Sequence, residues 1–286
     1  MKQLSIREVQ LISLDILTTI HNFCVQNNIK YSLMYGSLIG AIRHKGFIPW
    51  DDDIDIIMPR PDYERFCNTF HANGLTVLSE TDTRSYIGFC RVCDTERTQC
   101  VTSVPFAKGY HWGVWIDIFA ADGVTDDKTA FDAEILSLTK LWEKQIILRR
   151  ALPPLKSIYS DSLNNDKVEN KFKNILIFAI MKGSLLVPCL LMAIKKRLRK
   201  QALIIPYAST KHWSQLACFD DTTHDYQLNE DFETVILMPF ENKLFYVMNG
   251  YDRVLRNVYG DYMVPPPEDQ RIKTSDAFYW KMADQS

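Results

Sequence analysis

The sequence has almost no net charge. Its 33 Lys and Arg stand against 35 Asp and Glu, a formal −2 over 286 residues. No global electrostatic footprint for nucleic acid exists, and none is expected as a partner. Internal repeats and low-complexity blocks are also missing, which excludes solenoids and compositional disorder. There is no disulfide framework: the seven cysteines, Cys24, Cys67, Cys90, Cys93, Cys100, Cys189 and Cys218, are odd in number and irregular in spacing. The N-terminus reads at once as an amphipathic helix rather than a secretory leader, so reduced thiols in a cytoplasmic compartment are expected. A zinc site is short of a ligand as well. Cys90-Arg-Val-Cys93 and Cys100 are followed by no further ligand at zinc spacing, and small cysteines buried on a strand are the simpler expectation.

What is present is an ordinary core. A hydrophobic fraction of 47% and a charged fraction of 24% suit one large domain, or a domain with a sizeable insertion. Residues 5–27 read as a helix, with Ser5 and Glu8 as a capping box and Val9, Ile12, Ile16, Ile20 and Phe23 on one face. Strands are predicted at 30–35, 53–58, 75–79, 86–93 and 114–119, and around 207–219 and 234–246. Helices are predicted at 38–43, 62–70, 126–150 and 251–259, the last ended by Gly260. Asp122-Gly123 reads as a turn, 151–169 as a loop, and the tail from Pro265 as proline-rich and then polar.

The stretch 174–194 is mostly apolar, and Lys195-Lys196-Arg197 and Arg199-Lys200 follow it. Lys182, Gly183 and Pro188 interrupt it, which argues against a transmembrane span. Two placements stay open. The helix packs on the core with a solvated basic end, or it lies in a membrane interface with the basic run on anionic headgroups.

Three segments carry chemistry. Gly36-Ser37 sits between a predicted strand and a helix, where backbone N–H groups can approach a phosphate; alone this signal is weak. Asp53 and Asp55 are separated by one residue on a predicted strand, so both carboxylates share a face. They repel unless a cation lies between them, and Mg2+ prefers such oxygens. Asp51 and Asp52 precede that strand as second-layer or turn residues. Asp117 lies between Ile116 and Ile118 on a predicted strand, where a lone carboxylate is costly unless paired or metal-bound. Asp122 is the alternative third carboxylate, with a turn role preferred beside Gly123.

Gly-Ser, Asp-x-Asp on a strand and a later strand Asp is the pattern of the nucleotidyltransferase superfamily. The run from Gly36 to Asp55, containing Gly40-Ala-Ile-Arg-His-Lys-Gly-Phe-Ile-Pro-Trp-Asp-Asp-Asp-Ile-Asp55, resembles the signature of the LicD family of phosphocholine transferases, which includes the fukutin-related enzymes. Trp115–Phe119 with Asp122-Gly123, and Tyr259-Gly-Asp-Tyr-Met263 with Pro265-Pro266, are similar to further family segments. No motif covers about 125–230, and Ala120-Ala121 stands where members often have Pro-Leu.

The resemblance implies an α+β fold, a nucleotidyltransferase-like mixed sheet flanked by helices. It implies a catalytic core at 1–125, a helical and membrane-interfacial or core-packed insertion at 126–206, and a C-terminal part at 207–286 that completes the fold. It also implies an enzyme moving phosphocholine, or a related phospho-alcohol, from a CDP-linked donor to a hydroxyl of lipopolysaccharide, teichoic acid or capsule, with release of CMP. Asp53, Asp55 and Asp117 would hold Mg2+, with Mn2+ as a substitute, and one of them, Asp117 first, would accept the acceptor's proton. Gly36 and Ser37 would hold the donor phosphates, and Arg43, His44 and Lys45 would neutralise developing charge. Trp50, Tyr110, Trp112 and Trp115 are near enough in sequence for a choline cage, though packing roles are preferred for them. A peripheral location on the inner face of the cell membrane fits a lipid-linked acceptor. The competing enzyme class is transfer of NMP to a small molecule with release of pyrophosphate.

Overall fold

Helix α1 (Ile6–Gln26) starts where its cap places it. The Ser5 hydroxyl accepts from the Glu8 N–H, and the Glu8 carboxylate accepts from the Ser5 N–H at 2.9 Å. Its buried stripe includes Val9, Ile16, Leu17, Ile20 and Cys24, and Asn28, at φ 51°, turns the chain away after it. The computed structural model describes residues 2–101, 112–150, 186–216, 225–271 and 278–282. The predicted loop 151–169, residues 174–185 of the apolar stretch, Tyr110 and Cys218 lie outside the described residues.

The strands in chain order are β1 (Lys2–Gln3), β2 (Ser32–Leu33), β3 (Asp55–Pro59), β4 (Leu75–Leu78), β5 (Cys90–Asp94), β6 (Thr98–Val101), β7 (Trp115–Val124), β8 (His212–Ser214), β9 (Gln227–Leu228), β10 (Val235–Phe240), β11 (Lys243–Met248) and β12 (Phe278–Lys281). The main sheet runs β2-β3-β7-β5-β4, with β8 and β9 added from the far end of β7. Among the described residues of this sheet only β3 and β7 pair in parallel; the other pairs are antiparallel. A parallel neighbour needs a crossover, and helix α3 (Arg60–Thr69) begins it directly after β3. Helices α1 and α3 both pack on β7. All ten residues of β7 are buried, as expected of a strand covered on both faces. The architecture is thus the mixed α+β sheet with flanking helices that the sequence indicated.

Asp122-Gly123 is not a turn. Both residues continue β7, opposite Ser214 and Trp213 of β8. A Cβ on Gly123 would lie 2.7 Å from the Ile205 carbonyl oxygen, so the glycine admits a neighbouring backbone rather than a bend. Asp122 lies fully buried because Arg60 Nε donates to its Oδ1 at 2.6 Å. Strand parity sends Asp122 to the face opposite Asp117.

Helices α4 (Lys128–Arg150) and α5 (Leu186–Ala202) pack together over a second, smaller core formed by Phe131, Ile135, Leu138, Leu198 and Ala202. The basic run is divided by this packing. Lys195 is 2% exposed and donates to the Asp82 and Ser85 carbonyls, both at 2.7 Å. Arg199 pairs with Glu64 and Glu80, leaving Lys196, Arg197 and Lys200 exposed. Among the described residues no helix is long and apolar enough to cross a membrane.

Of the strand predicted around 207–219, the described part, 207–216, forms only β8; Tyr207–Ser209 is a 3-10 turn after Pro206. The predicted 234–246 strand is a hairpin, β10–β11, reversed at Glu241 with φ 57°. Helix α6 (Tyr251–Tyr259) ends at Gly260, φ 67°. The tail holds a strand the sequence did not announce: β12 lies between β1 and β6 in a second sheet.

Cys90 and Cys93 on β5 and Cys100 on β6 are buried and not in disulfides. Burial raises the Cys90 and Cys93 thiols well above their ordinary range, so they are inert packing groups.

Candidate active site

Gly36 and Ser37 lie inside a short helix, α2 (Tyr35–Ile39), which continues through a π turn at Gly40–His44. A Cβ on Gly36 would stand 2.5 Å from Asp51 Oδ2. The glycine therefore lets the carboxylate of Asp51 close against the helix. Ser37 is buried, and its hydroxyl accepts from the Asp55 N–H at 3.0 Å. It fixes the start of β3 and does not line the cleft. Gly36→Ala is expected to displace Asp51, costing about 1–3 kcal/mol of stability and roughly tenfold in turnover. Thermal unfolding and steady-state kinetics check this; wild-type values for both would mean that Asp51 swings aside freely.

Asp51, Asp53 and Asp55 line a cleft of ≈ 610 Å³, a volume suited to a ligand of nucleotide size. Strand β3 begins at Asp55, yet Asp53 faces the same cleft. Burial, then the charges of Asp55 and Asp51, push the Asp53 carboxyl well above the usual carboxylate range. Burial, then Asp117 and Asp51, do the same to Asp55, with Arg91 opposing. Asp52 is buried and does not line the cleft.

Asp117 stands directly across the parallel ladder from Asp55. Its carboxylate is gripped by Arg91, whose Nε donates to Oδ1 and whose second terminal nitrogen donates to Oδ2 at 3.0 Å. Trp115 Nε1 adds a bond to Oδ2 at 3.3 Å. The guanidinium carbon lies 4.2 Å from the Trp115 ring centre and 4.9 Å from that of Trp112. Both tryptophans are buried around this cation, away from the cleft lining. Arg91 was not read in the sequence. Its signal was there: a lone positive charge on an apolar strand, complementary to a lone Asp on another.

Of the three basic residues expected at the phosphates, Arg43 lines the cleft, donating to the Tyr262 carbonyl at 2.6 Å. Burial, then nearby Arg271, lower its pKa. His44 packs edge-on to Trp50, and burial, then Arg43, lower its pKa. Lys45 is exposed at φ 59° and ends the π turn. Neither lines the cleft. Trp50 does, and the guanidinium of Arg271 lies 5.1 Å from its ring centre. The cleft is also lined by Tyr259, Asp261 and Tyr262, within a segment the sequence singled out, by Tyr35, which precedes Gly36-Ser37, and by Gln215, which the sequence did not mark.

Among the described residues no group of three His, Cys, Asp or Glu side chains stands close enough to enclose a metal. The chemistry of the donors nevertheless fits a hard divalent cation. Every candidate is a carboxylate, and Asp53 and Asp55 are raised by burial and by mutual repulsion, which a bound cation relieves.

The chain matches the model of the LicD/FKTN/FKRP nucleotidyltransferase domain over residues 28–158. It is 34% identical over 278 residues to the lipopolysaccharide cholinephosphotransferase LicD of Haemophilus influenzae, covering 95% of this chain and 96% of that one. A shorter match, 45% identical over 56 residues, covers 19% of this chain and 18% of an uncharacterized protein of Rickettsia typhi.

Proposed function

This chain belongs to the LicD/FKTN/FKRP nucleotidyltransferase family, and on that premise we propose that it is a transferase moving phosphocholine from a CDP-linked donor to a hydroxyl of a cell-surface glycan, with release of CMP. Lipopolysaccharide is the first acceptor to test, because the Haemophilus relative carries that name. The observation that carries the reading is the pair Asp53 and Asp55 in the cleft, with Asp117 across the ladder.

Asp53 and Asp55, with Asp117 as third carboxylate, would hold Mg2+ or Mn2+, which when bound supplies a counter-charge to the phosphoryl oxygens. Arg91 takes one lone-pair direction on each Asp117 oxygen and Trp115 Nε1 a second on Oδ2, which leaves a direction on Oδ1 to offer. Arg43 is the cleft cation placed to attract the donor's diphosphate and to offset charge on the departing CMP. Gly36 keeps the helix backbone close to Asp51, so the cleft stays open to the phosphates. Tyr259 and Tyr262 also line the cleft, and an aromatic ring there would suit a quaternary ammonium. The buried Trp112 and Trp115 are committed to Arg91 instead.

Incubation with Mg2+ and CDP-choline, CDP-ethanolamine, CDP-glycerol or CDP-ribitol tests the donor. CMP is expected, fastest from CDP-choline. Pyrophosphate release from a nucleoside triphosphate, with no CMP from any CDP-alcohol, would favour the NMP-transfer alternative.

A further inference from the structure

Tyr35 is strained without a local reason. It is an aromatic residue at φ 48°, a left-handed conformation that a bulky side chain rarely adopts. Such strain persists where the surroundings over-determine the residue, and it concentrates at working sites. Here the surroundings are distant in sequence. The Tyr35 hydroxyl lies 2.8 Å from Asp225 Oδ2 and also contacts the side-chain amide of Gln215, partners separated from it by 190 and 180 positions. Its ring stands edge-on to Phe119, with centroids 5.6 Å apart. Tyr35, Gln215 and Phe119 all line the cleft that holds Asp53 and Asp55. Asp225 is 4% exposed.

One hydroxyl carries one proton, so Tyr35 cannot donate to both neighbours. The consistent assignment turns the Gln215 amide so that its N–H donates to the tyrosine oxygen, while Tyr35 donates to Asp225. This is a directed chain from the cleft to a buried carboxylate. The neighbouring carboxylates are otherwise engaged, Asp51 by a hydrogen bond with Asp53. Asp53 and Asp55 are the proposed cation holders, and both oxygens of Asp117 face Arg91.

We propose that Tyr35, oriented by Gln215, receives the proton of the attacking acceptor hydroxyl and passes its own to Asp225. The proposal rests on the phosphotransferase reading above. In the step, the acceptor oxygen bonds to the phosphorus carrying the alcohol. The bond from that phosphorus to the bridging oxygen breaks, and its electron pair leaves with CMP. The acceptor proton moves to the Tyr35 oxygen as the Tyr35 proton moves to Asp225 Oδ2, and solvent takes it after product release. Atoms and charge balance with no further reactant.

The carboxyl of Asp225 suits the role. Burial pushes it up to about 6, against hydrogen bonds from Tyr35 and Gln227 that lower it. Neither of those partners carries a charge. Among the described residues, no charged group contributes to its shift, and its neighbour in sequence, Tyr226, is stacked on His212 with ring centres 4.2 Å apart. A base near neutrality accepts a proton efficiently and returns it.

The test uses the full chain with the donor that the wild type turns over best. Tyr35→Phe keeps the ring and backbone and removes the relay oxygen. Asp225→Asn keeps the shape and removes the proton holder. Each is expected to lower kcat roughly 100-fold while donor KM stays within about threefold. The wild-type kcat profile should fall on the acid side near pH 6, and Asp225→Asn should lose that limb. A Tyr35→Phe enzyme within about threefold of wild-type kcat overturns the relay, as does an unchanged acid limb in Asp225→Asn. Thermal unfolding of both variants separates chemistry from misfolding, and should Asp225→Asn fail to fold, the kcat of Tyr35→Phe decides. If the wild type releases pyrophosphate rather than CMP, the donor reading fails, and the same variants assayed on that reaction decide the relay by the same criteria.

Discussion

Asp53→Asn and Asp55→Asn proteins are expected to fold at least as well as the wild type and to turn over at least about 10³-fold more slowly. The two effects have one cause. In the cation-free protein, burial and neighbouring carboxylates raise both groups, so the folded state holds protons more tightly than the unfolded chain. A carboxyl raised in this way contributes stability that is present below its unfolded value, about 4. That contribution is lost as pH rises through the raised folded value. Asparagine cannot ionise and escapes the loss. The melting temperature of each variant, measured against wild type without divalent ions, should therefore gain as pH rises from about 4 to 8. Added Mg2+ should stabilise the wild type and close that gap, because the cation binds only the folded arrangement. Near-normal turnover in either variant would sink the site assignment. A stability difference that shrinks with rising pH would sink the electrostatic account.

The second large effect is on stability. Arg60 is 5% exposed and is held by Asp122 at 2.6 Å, Glu80 at 2.8 Å and Glu64 at 3.2 Å. Arg199 of α5 joins Glu64 and Glu80 from the other side, so this cluster ties the helical part to the sheet face opposite the cleft. Arg60→Met leaves Asp122 buried with only the Leu216 N–H, at 3.2 Å, as a remaining bond. Removing one partner of such a pair costs about 3–5 kcal/mol, a large share of a typical total of roughly 5–15 kcal/mol. Urea unfolding should show the loss, and a double variant Arg60→Met/Asp122→Leu should recover much of it, because no bare charge is left at Asp122. A cost below about 1 kcal/mol for the single variant would mean that water reaches the cluster.

Reading the chain without its fold went furthest where the physics is local. The capping box at Ser5 and Glu8, the helix stop at Gly260 and the shared cleft of Asp53 and Asp55 each follow from residues a few positions apart. Local rules misled where a neighbour from elsewhere changed their meaning. Asp-Gly at 122–123 has turn chemistry, but the approach of Ile205 and the charge of Arg60 keep it in a strand. The strand β12 was overlooked because its partners, β1 and β6, lie far from it along the chain.

The Gly-Ser helix start and the aspartates after it therefore divide between two sources. By itself the sequence determined the α+β plan, the family signature and which aspartates to look for, because spacing and the order of motifs are written residue by residue. The tertiary structure decided what each carboxylate answers to. Arg91 reaches Asp117 across 26 positions, Arg60 reaches Asp122 across 62, and Tyr35 meets Asp225 across 190. No periodicity reports such pairings. They are set by which strands lie side by side and by the cost of burying a charge alone.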